Sequence, residues 1–265
     1  MKQKSRTEYS VMNTTVAFLA QTLAIFMGFF TRVVFTRTLS EGYVGINGLF
    51  TDILNILSLS ELGVGTAITY ALYTPIARRD IKKQQILMRM FRNFYRITAG
   101  FVLLAGLCLI PFLDILMKDR PDVNHLIIIY LLYLLNSVVS YLLIYKKTLV
   151  DAHQMNYITV MYHNGFLVLQ DILQIMVLFL TRNFILFLVI AVVCTIIGNI
   201  CMSRKADRLF PYLKEPCKEQ LPQEERHDIL RNVKAMLMHK IGNVVVNNTD
   251  NLLISSFVGI ISAGI

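Results

Sequence analysis

Charge is scarce in this chain. Asp, Glu, Lys and Arg make up only 16% of 265 residues, against 55% apolar residues and a mean hydropathy of +0.56. A soluble domain of this size needs more polar surface. Cysteine supplies no framework either. Cys108, Cys194, Cys201 and Cys217 form no C-x-x-C pair and three lie in apolar runs, so they read as small core residues, not a disulfide frame or metal site. Enzyme signatures are missing: there is no G-x-x-x-x-G-K-[ST], no dinucleotide loop completed around Gly63-Val64-Gly65, and no H-E-x-x-H. No catalytic residue and no cofactor is therefore assigned. Any energy must come from an ion gradient (H+ or Na+), a membrane potential, a substrate gradient or a partner. Strand-period alternation is lacking as well, which argues against a membrane barrel.

What the chain does have is a series of long apolar stretches. About 20 apolar residues carry a helix across a bilayer, and seven candidate spans qualify: 11–35, 43–73, 97–117, 125–145, 157–180, 184–203 and 233–259. Lys2, Lys4 and Arg6 precede the first, as in a secretory signal. That segment is too long and lacks a small-x-small cleavage site, so it reads as a retained helix.

Basic residues fall in alternate connections. Lys2, Lys4 and Arg6, seven residues from Arg78 to Arg96, Lys146 with Lys147, and eight from Arg204 to Lys234 give 20 of the 26 to one side. The other side holds Arg32, Arg37, Lys118, Arg120 and Arg182. This bias predicts a cytoplasmic N-terminus. It also accounts for the net charge of +9 without nucleic acid, since the basic residues sit beside spans and meet anionic membrane lipid.

The fold expected is all-α, a polytopic membrane helix bundle. Residues 1–203 form a six-helix transmembrane lobe, 204–231 with Pro211, Pro216 and Pro222 a cytoplasmic interlobe linker, and 232–265 the first helix of a second, truncated lobe. A shifted self-match supports the repeat, placing Asn13 on Asn232, Leu39 on Val258 and Gly45-Ile46 on Gly264-Ile265. Segment 75–96 alternates basic residues with Ile81, Ile86, Leu87, Met90, Phe91 and Phe94. That pattern predicts an amphipathic helix lying on the inner membrane surface.

Polar stripes run inside the spans. The first carries Thr14, Ala17, Gln21, Ala24, Gly28 and Thr31 on one seam, a pattern for close helix packing. The second carries Asn47, Thr51, Asn55, Ser58, Thr66 and Thr69, with Asp52 and Glu61 beside them. The fifth has His163, Asn164, Gln170, Asp171 and Gln174; the seventh has Lys240, Asn243, Asn247, Asp250 and Asn251. A charge at mid-bilayer costs about 2.5–3.5 kcal/mol on insertion scales, so such residues face the bundle interior. Several stripes in one bundle predict a hydrated internal cavity.

The stretch Arg32-Val-Val-Phe-Thr-Arg-Thr-Leu-Ser-Glu-Gly-Tyr-Val-Gly-Ile-Asn-Gly-Leu-Phe50 resembles bacterial polysaccharide transporters, the O-antigen and capsule repeat-unit flippases of the multidrug, oligosaccharidyl-lipid and polysaccharide exporter superfamily. So do Leu57-Ser-Leu-Ser-Glu-Leu-Gly-Val-Gly-Thr-Ala-Ile68, Tyr70-Ala-Leu-Tyr-Thr-Pro75 and Asn248-Thr-Asp-Asn-Leu-Leu-Ile-Ser-Ser-Phe-Val-Gly259. The resemblance implies a two-lobed bundle in the bacterial cytoplasmic membrane that moves undecaprenyl-pyrophosphate-linked oligosaccharide by alternating access. Protein partners implied are a polysaccharide polymerase or glycosyltransferases. By the same resemblance Arg32, Arg37 and Lys240 meet pyrophosphate or acidic sugar, beside Asn47, Thr51, Asn55 and Asn247. Asp52, Glu61, Asp171 and Asp250 carry a coupling ion or form salt bridges. Competing readings are a multidrug cation antiporter, a peptidoglycan lipid-precursor flippase, and a non-transporting membrane remnant.

Overall fold

The computed structural model describes residues 6–58, 64–113, 123–215 and 221–238, except 226, 233, 236 and 237. Among these residues the protein is an all-α bundle with no strand. The helices α1 (Arg6–Thr38), α2 (Glu41–Ser58), α3 (Val64–Ala77), α4 (Ile81–Leu109), α5 (Leu126–Tyr141), α6 (Ile144–Ala152), α7 (Asn156–Thr181) and α8 (Phe184–Leu209) follow in chain order, and residues 223–225 and 227–232 are helical as well. Five stretches are long and apolar enough to cross a membrane: Ser10–Thr38, Ile81–Phe112, Leu126–Ala152, Asn156–Thr181 and Phe184–Leu209. The protein is therefore a membrane-embedded helix bundle. The described part of the expected span 43–73 divides between α2 and α3. Alone these reach only about 27 Å and 21 Å at 1.5 Å per residue. The expected span 233–259 and most of the second-lobe segment 232–265 lie outside the described residues, as do Glu61, Lys240, Asn247 and Asp250.

One expectation is overturned. The basic segment 75–96 is not a separate surface helix. Its greater part is the first half of α4, which continues unbroken to Leu109. Asp80 starts the helix by accepting a hydrogen bond from Lys83 N at 3.0 Å. No proline follows before Leu109, and the apolar side forms one buried stripe through Leu87, Met88, Phe91, Tyr95, Ala99 and Val102. Those ridges recur every three or four residues, so they pack into the bundle instead of the lipid interface.

Helix order explains the packing. α1 lies chiefly against α7, α7 against α8, and α8 against α5 and α6; α5 then meets α4 and α2, while α3 packs on α6 and α4. The helices come close at Gly106 of α4, where an added Cβ would stand 2.3 Å from a Leu134 methyl of α5. Its carbonyl also accepts a hydrogen bond from Tyr130 Oη at 2.8 Å.

One end of the bundle gathers the start of α1, the α3–α4 and α6–α7 junctions and the end of α8. Here Asn13 of α1 donates to Gln154 O at 2.9 Å and accepts from Tyr157 N at 2.8 Å, capping the start of α7. The chain after α8 folds back onto the same end. Tyr212 Oη donates to Gln84 Oε1 at 2.6 Å, and Gln84 Nε2 donates onward to Pro75 O at 3.2 Å. Burial pushes the Tyr212 phenol up to about 12. Lys83 pairs with Glu225 at 2.8 Å, so part of the expected linker is docked against α4. This end holds Lys82, Lys83, Arg89, Lys146, Lys147, Arg204, Lys205 and Arg208, whereas the opposite end holds Arg32, Arg37 and Arg182.

Candidate functional site

At the end opposite the basic one, α1, α2, α5 and α8 converge on an aromatic cluster. Phe184 opens α8 and touches Phe35, Tyr43, Phe187 and Tyr133, with ring centroids 5.2–6.4 Å apart. Tyr133 donates a short hydrogen bond to Asn47 Oδ1 of α2. The Arg32 guanidinium sits 5.7 Å from the Phe35 centroid and close enough to act electrostatically on Tyr133. Arg32, Asn47 and Tyr133 thus share one level, roughly 10 Å inside that end at 1.5 Å of rise per residue. Arg32 and Asn47 were legible as polar residues in apolar runs. Tyr133 was not singled out, because an isolated tyrosine in a span gives no signal of its partner.

Thr51 and Asn55 lie one and two turns deeper on α2. Both are exposed, as are Asp52 beside them and Arg32 and Arg37 on α1. Among the described residues Thr51 bonds only its own helix, donating to Asn47 O at 2.6 Å. Phe50, on the other side of α2, is fully buried against Tyr130 and Tyr133. So α2 turns aromatic surface inward and polar surface out of the lobe. In hydrocarbon that arrangement would be costly.

Asp171 takes a different position. It is half-buried at the α1–α7 contact, where Thr31 Oγ1 donates to it at 3.0 Å. The polar stripe of α7 is split among several partners. Gln174 is 2% exposed and donates to Phe187 O of α8 at 3.0 Å. Asn164 is buried, while His163 and Gln170 face a cavity of about 230 Å3 among α5, α6, α7 and α8. Ser140, Lys147, Thr195 and Asn199 also line it. The described candidates therefore occupy three places, not one chamber: the Arg32–Asn47 level, the outward face of α2, and the α1–α7 seam.

No residue between α5 and α6 signals the break that separates them. Leu142 is extended and Leu143 is left-handed at φ 70°, within an apolar run lacking Gly and Pro. A left-handed leucine stores on the order of 1–3 kcal/mol. Asn199 of α8 compensates by donating to Val139 O at 2.9 Å. Such irregular backbone at membrane depth is tolerated where protein or a wet cavity covers it. Just beyond, Lys146 and Asp207 form a largely buried ion pair at 2.8 Å between α6 and α8. Among the described residues no group of three or more His, Cys, Asp or Glu is placed to hold a metal ion.

Compared with protein-family models, curated proteins and solved structures, the chain finds no match.

Proposed function

We propose that this chain supplies a lobe of a transporter that passes undecaprenyl-pyrophosphate-linked oligosaccharide from the inner to the outer leaflet of the bacterial cytoplasmic membrane, for surface polysaccharide synthesis. The observation that carries the reading is the outward polar face. Arg32, Arg37, Thr51, Asp52 and Asn55 are exposed on α1 and α2 of an otherwise apolar bundle. These positions suit a hydrated passage closed on its far side by a second lobe and would be costly in bulk lipid. The basic end then lies in the cytoplasm.

In this reading Arg32 offers a planar fork of donors to a pyrophosphate, and Phe35 beneath it holds the guanidinium without neutralising it. Thr51 and Asn55 line the route with neutral hydrogen-bonding groups suited to sugar hydroxyls, and Asn47, bonded to Tyr133, stands one turn nearer the outer end. Asp52 is the carboxylate on the same face and the candidate for ion coupling. Asp171 serves helix pairing, and the polyprenyl tail remains in lipid while the headgroup crosses. The segments quoted above as resembling polysaccharide flippases favour this substrate over an organic cation, and the two exposed arginines of α1 agree.

The test is Arg32→Ala in the complete protein, expressed at the normal level. Loss of surface polysaccharide is expected, and normal polysaccharide would remove Arg32 from the route. A deletion strain separates the readings: lost polysaccharide with unchanged drug tolerance fits a flippase, and the converse fits a cation exporter.

A further inference from the structure

A second cavity, of about 440 Å3, lies between α4, the α5–α6 break and α8, and no residue of α2 lines it. Its polar lining includes Arg92 and Arg96, one turn apart on α4, with Tyr145 of α6 and Asn199 of α8. Its walls include Leu142 and Ile200, which are 42% and 37% exposed, so the cavity opens at the lobe surface through an apolar mouth. Neither arginine has a carboxylate partner among the described residues. The nearby Asp207 is committed to Lys146 at 2.8 Å. Arg92 Nε is buried with no hydrogen-bond partner, although the Tyr145 hydroxyl lies close to the guanidinium.

Depth identifies the kind of ligand. Arg96 is the last basic residue before the apolar run beginning at Ile97, and Asn199 stands about one turn inside Arg204, where the apolar run of α8 ends. The cavity thus straddles the boundary between charged and apolar surface at the basic end. An inorganic anion would meet the arginines but leave the apolar walls unused. A lipid satisfies both: a phosphate for the two guanidinium groups and acyl chain for Leu142, Ile196 and Ile200. We propose that this groove binds a membrane phospholipid with an anionic headgroup, its phosphate held by Arg92 and Arg96. Basic pockets between transmembrane helices on the cytoplasmic side have this chemistry. A bound lipid would also cover the backbone irregularity at Leu142-Leu143, where the span is broken. The inference stands apart from the transport reading and does not require it.

The experiment is native mass spectrometry of the full chain in detergent, titrated with phosphatidylglycerol or phosphatidylcholine. Wild type is expected to retain phosphatidylglycerol preferentially. Arg92→Gln with Arg96→Gln should weaken that binding about tenfold or more, since each basic contact near the surface contributes appreciably. The paired variant Arg204→Gln with Arg208→Gln removes the same charge from exposed positions outside the groove and should change it less than about threefold. If the first double variant does not fold, Arg96→Gln alone decides, because Arg96 is exposed and its loss leaves the core intact. Unchanged phosphatidylglycerol binding in the groove variants overturns the proposal, as does equal loss in both double variants. Displacement of the lipid by millimolar inorganic phosphate would make the groove a free-phosphate site and equally overturn it.

Discussion

Tyr133 of α5 donates its hydroxyl proton to Asn47 of α2, tying the two helices together at the level of Arg32. Its ring meanwhile rests on Phe50 at 5.8 Å and Phe184 at 6.4 Å. Replacing the tyrosine by phenylalanine keeps those ring contacts and removes only the bond. Tyr133→Phe should cost about 0.6–1.7 kcal/mol, the range for interhelical hydrogen bonds in membranes. Asn47→Ala adds little once Tyr133 is gone. Thermal unfolding of the two single variants and the double variant in detergent checks this coupling.

Gly106 has no room for a methyl group, because its added Cβ would stand 2.3 Å from Leu134. Leu134 is itself buried, so either its side chain leaves its rotamer or α4 and α5 move apart to accept it. Gly106→Ala should destabilise by about 1–3 kcal/mol. Adding Leu134→Ala should give a double variant less destabilised than the sum of the two singles, as expected for residues sharing one space. Additivity in thermal unfolding would place the strain elsewhere.

The Lys146–Asp207 pair is 2.8 Å long, with side chains only 14% and 18% exposed. Removing one partner strands a buried charge. Lys146→Met or Asp207→Leu alone should cost about 3–5 kcal/mol. The double change to Met and Leu should recover most of that loss, because no uncompensated charge remains. The yield of folded protein in detergent, followed by thermal unfolding, separates these outcomes.

His153 gives the protein a pH response in the acid direction. Burial lowers its pKa from the usual 6.5, and Phe210 packs 4.4 Å from its ring. Nδ1–H donates to Leu149 O at 2.9 Å, which fixes the neutral tautomer. An unfolded His153 takes up its proton at higher pH than the folded one. Stability from this site is therefore complete above about pH 6.5 and falls as pH drops toward the depressed native value. Melting temperatures measured from about pH 7.5 to pH 5.5 should fall further for wild type than for His153→Gln. Equal slopes would remove His153 as the cause.

Much of the fold was readable because membrane helices announce themselves through hydropathy. The spans at the first, fourth, fifth and sixth positions match α1, α5–α6, α7 and α8, and the basic residues do collect at one end. The third was misread at its start, because a run of Lys and Arg looks like an interface even when its other face is buried. Leu142-Leu143 could not be seen as a break, since neither residue carries a turn signal and Asn199, which compensates, is distant in sequence. Asn47, Thr51 and Asn55 read as one stripe, yet Asn47 turns toward Tyr133 while Thr51 and Asn55 face outward. Periodicity assigns residues to a helix face but does not say what that face meets. For the same reason the sequence places Asp171 on a polar stripe but does not show that Thr31 of α1 donates to it.

The most direct test of the transport reading is aqueous access to the outward face of α2. Thr51→Cys and Asn55→Cys, placed one at a time in the complete transporter with Cys108, Cys194, Cys201 and Cys217 replaced, are treated with a membrane-impermeant thiol reagent from each side. Val193→Cys on the exposed apolar surface of α8 serves as the lipid-facing control. Labelling of Thr51→Cys and Asn55→Cys from at least one side, with the control unlabelled, is the expected result. Failure of both to react from either side would contradict a water-filled route along α2.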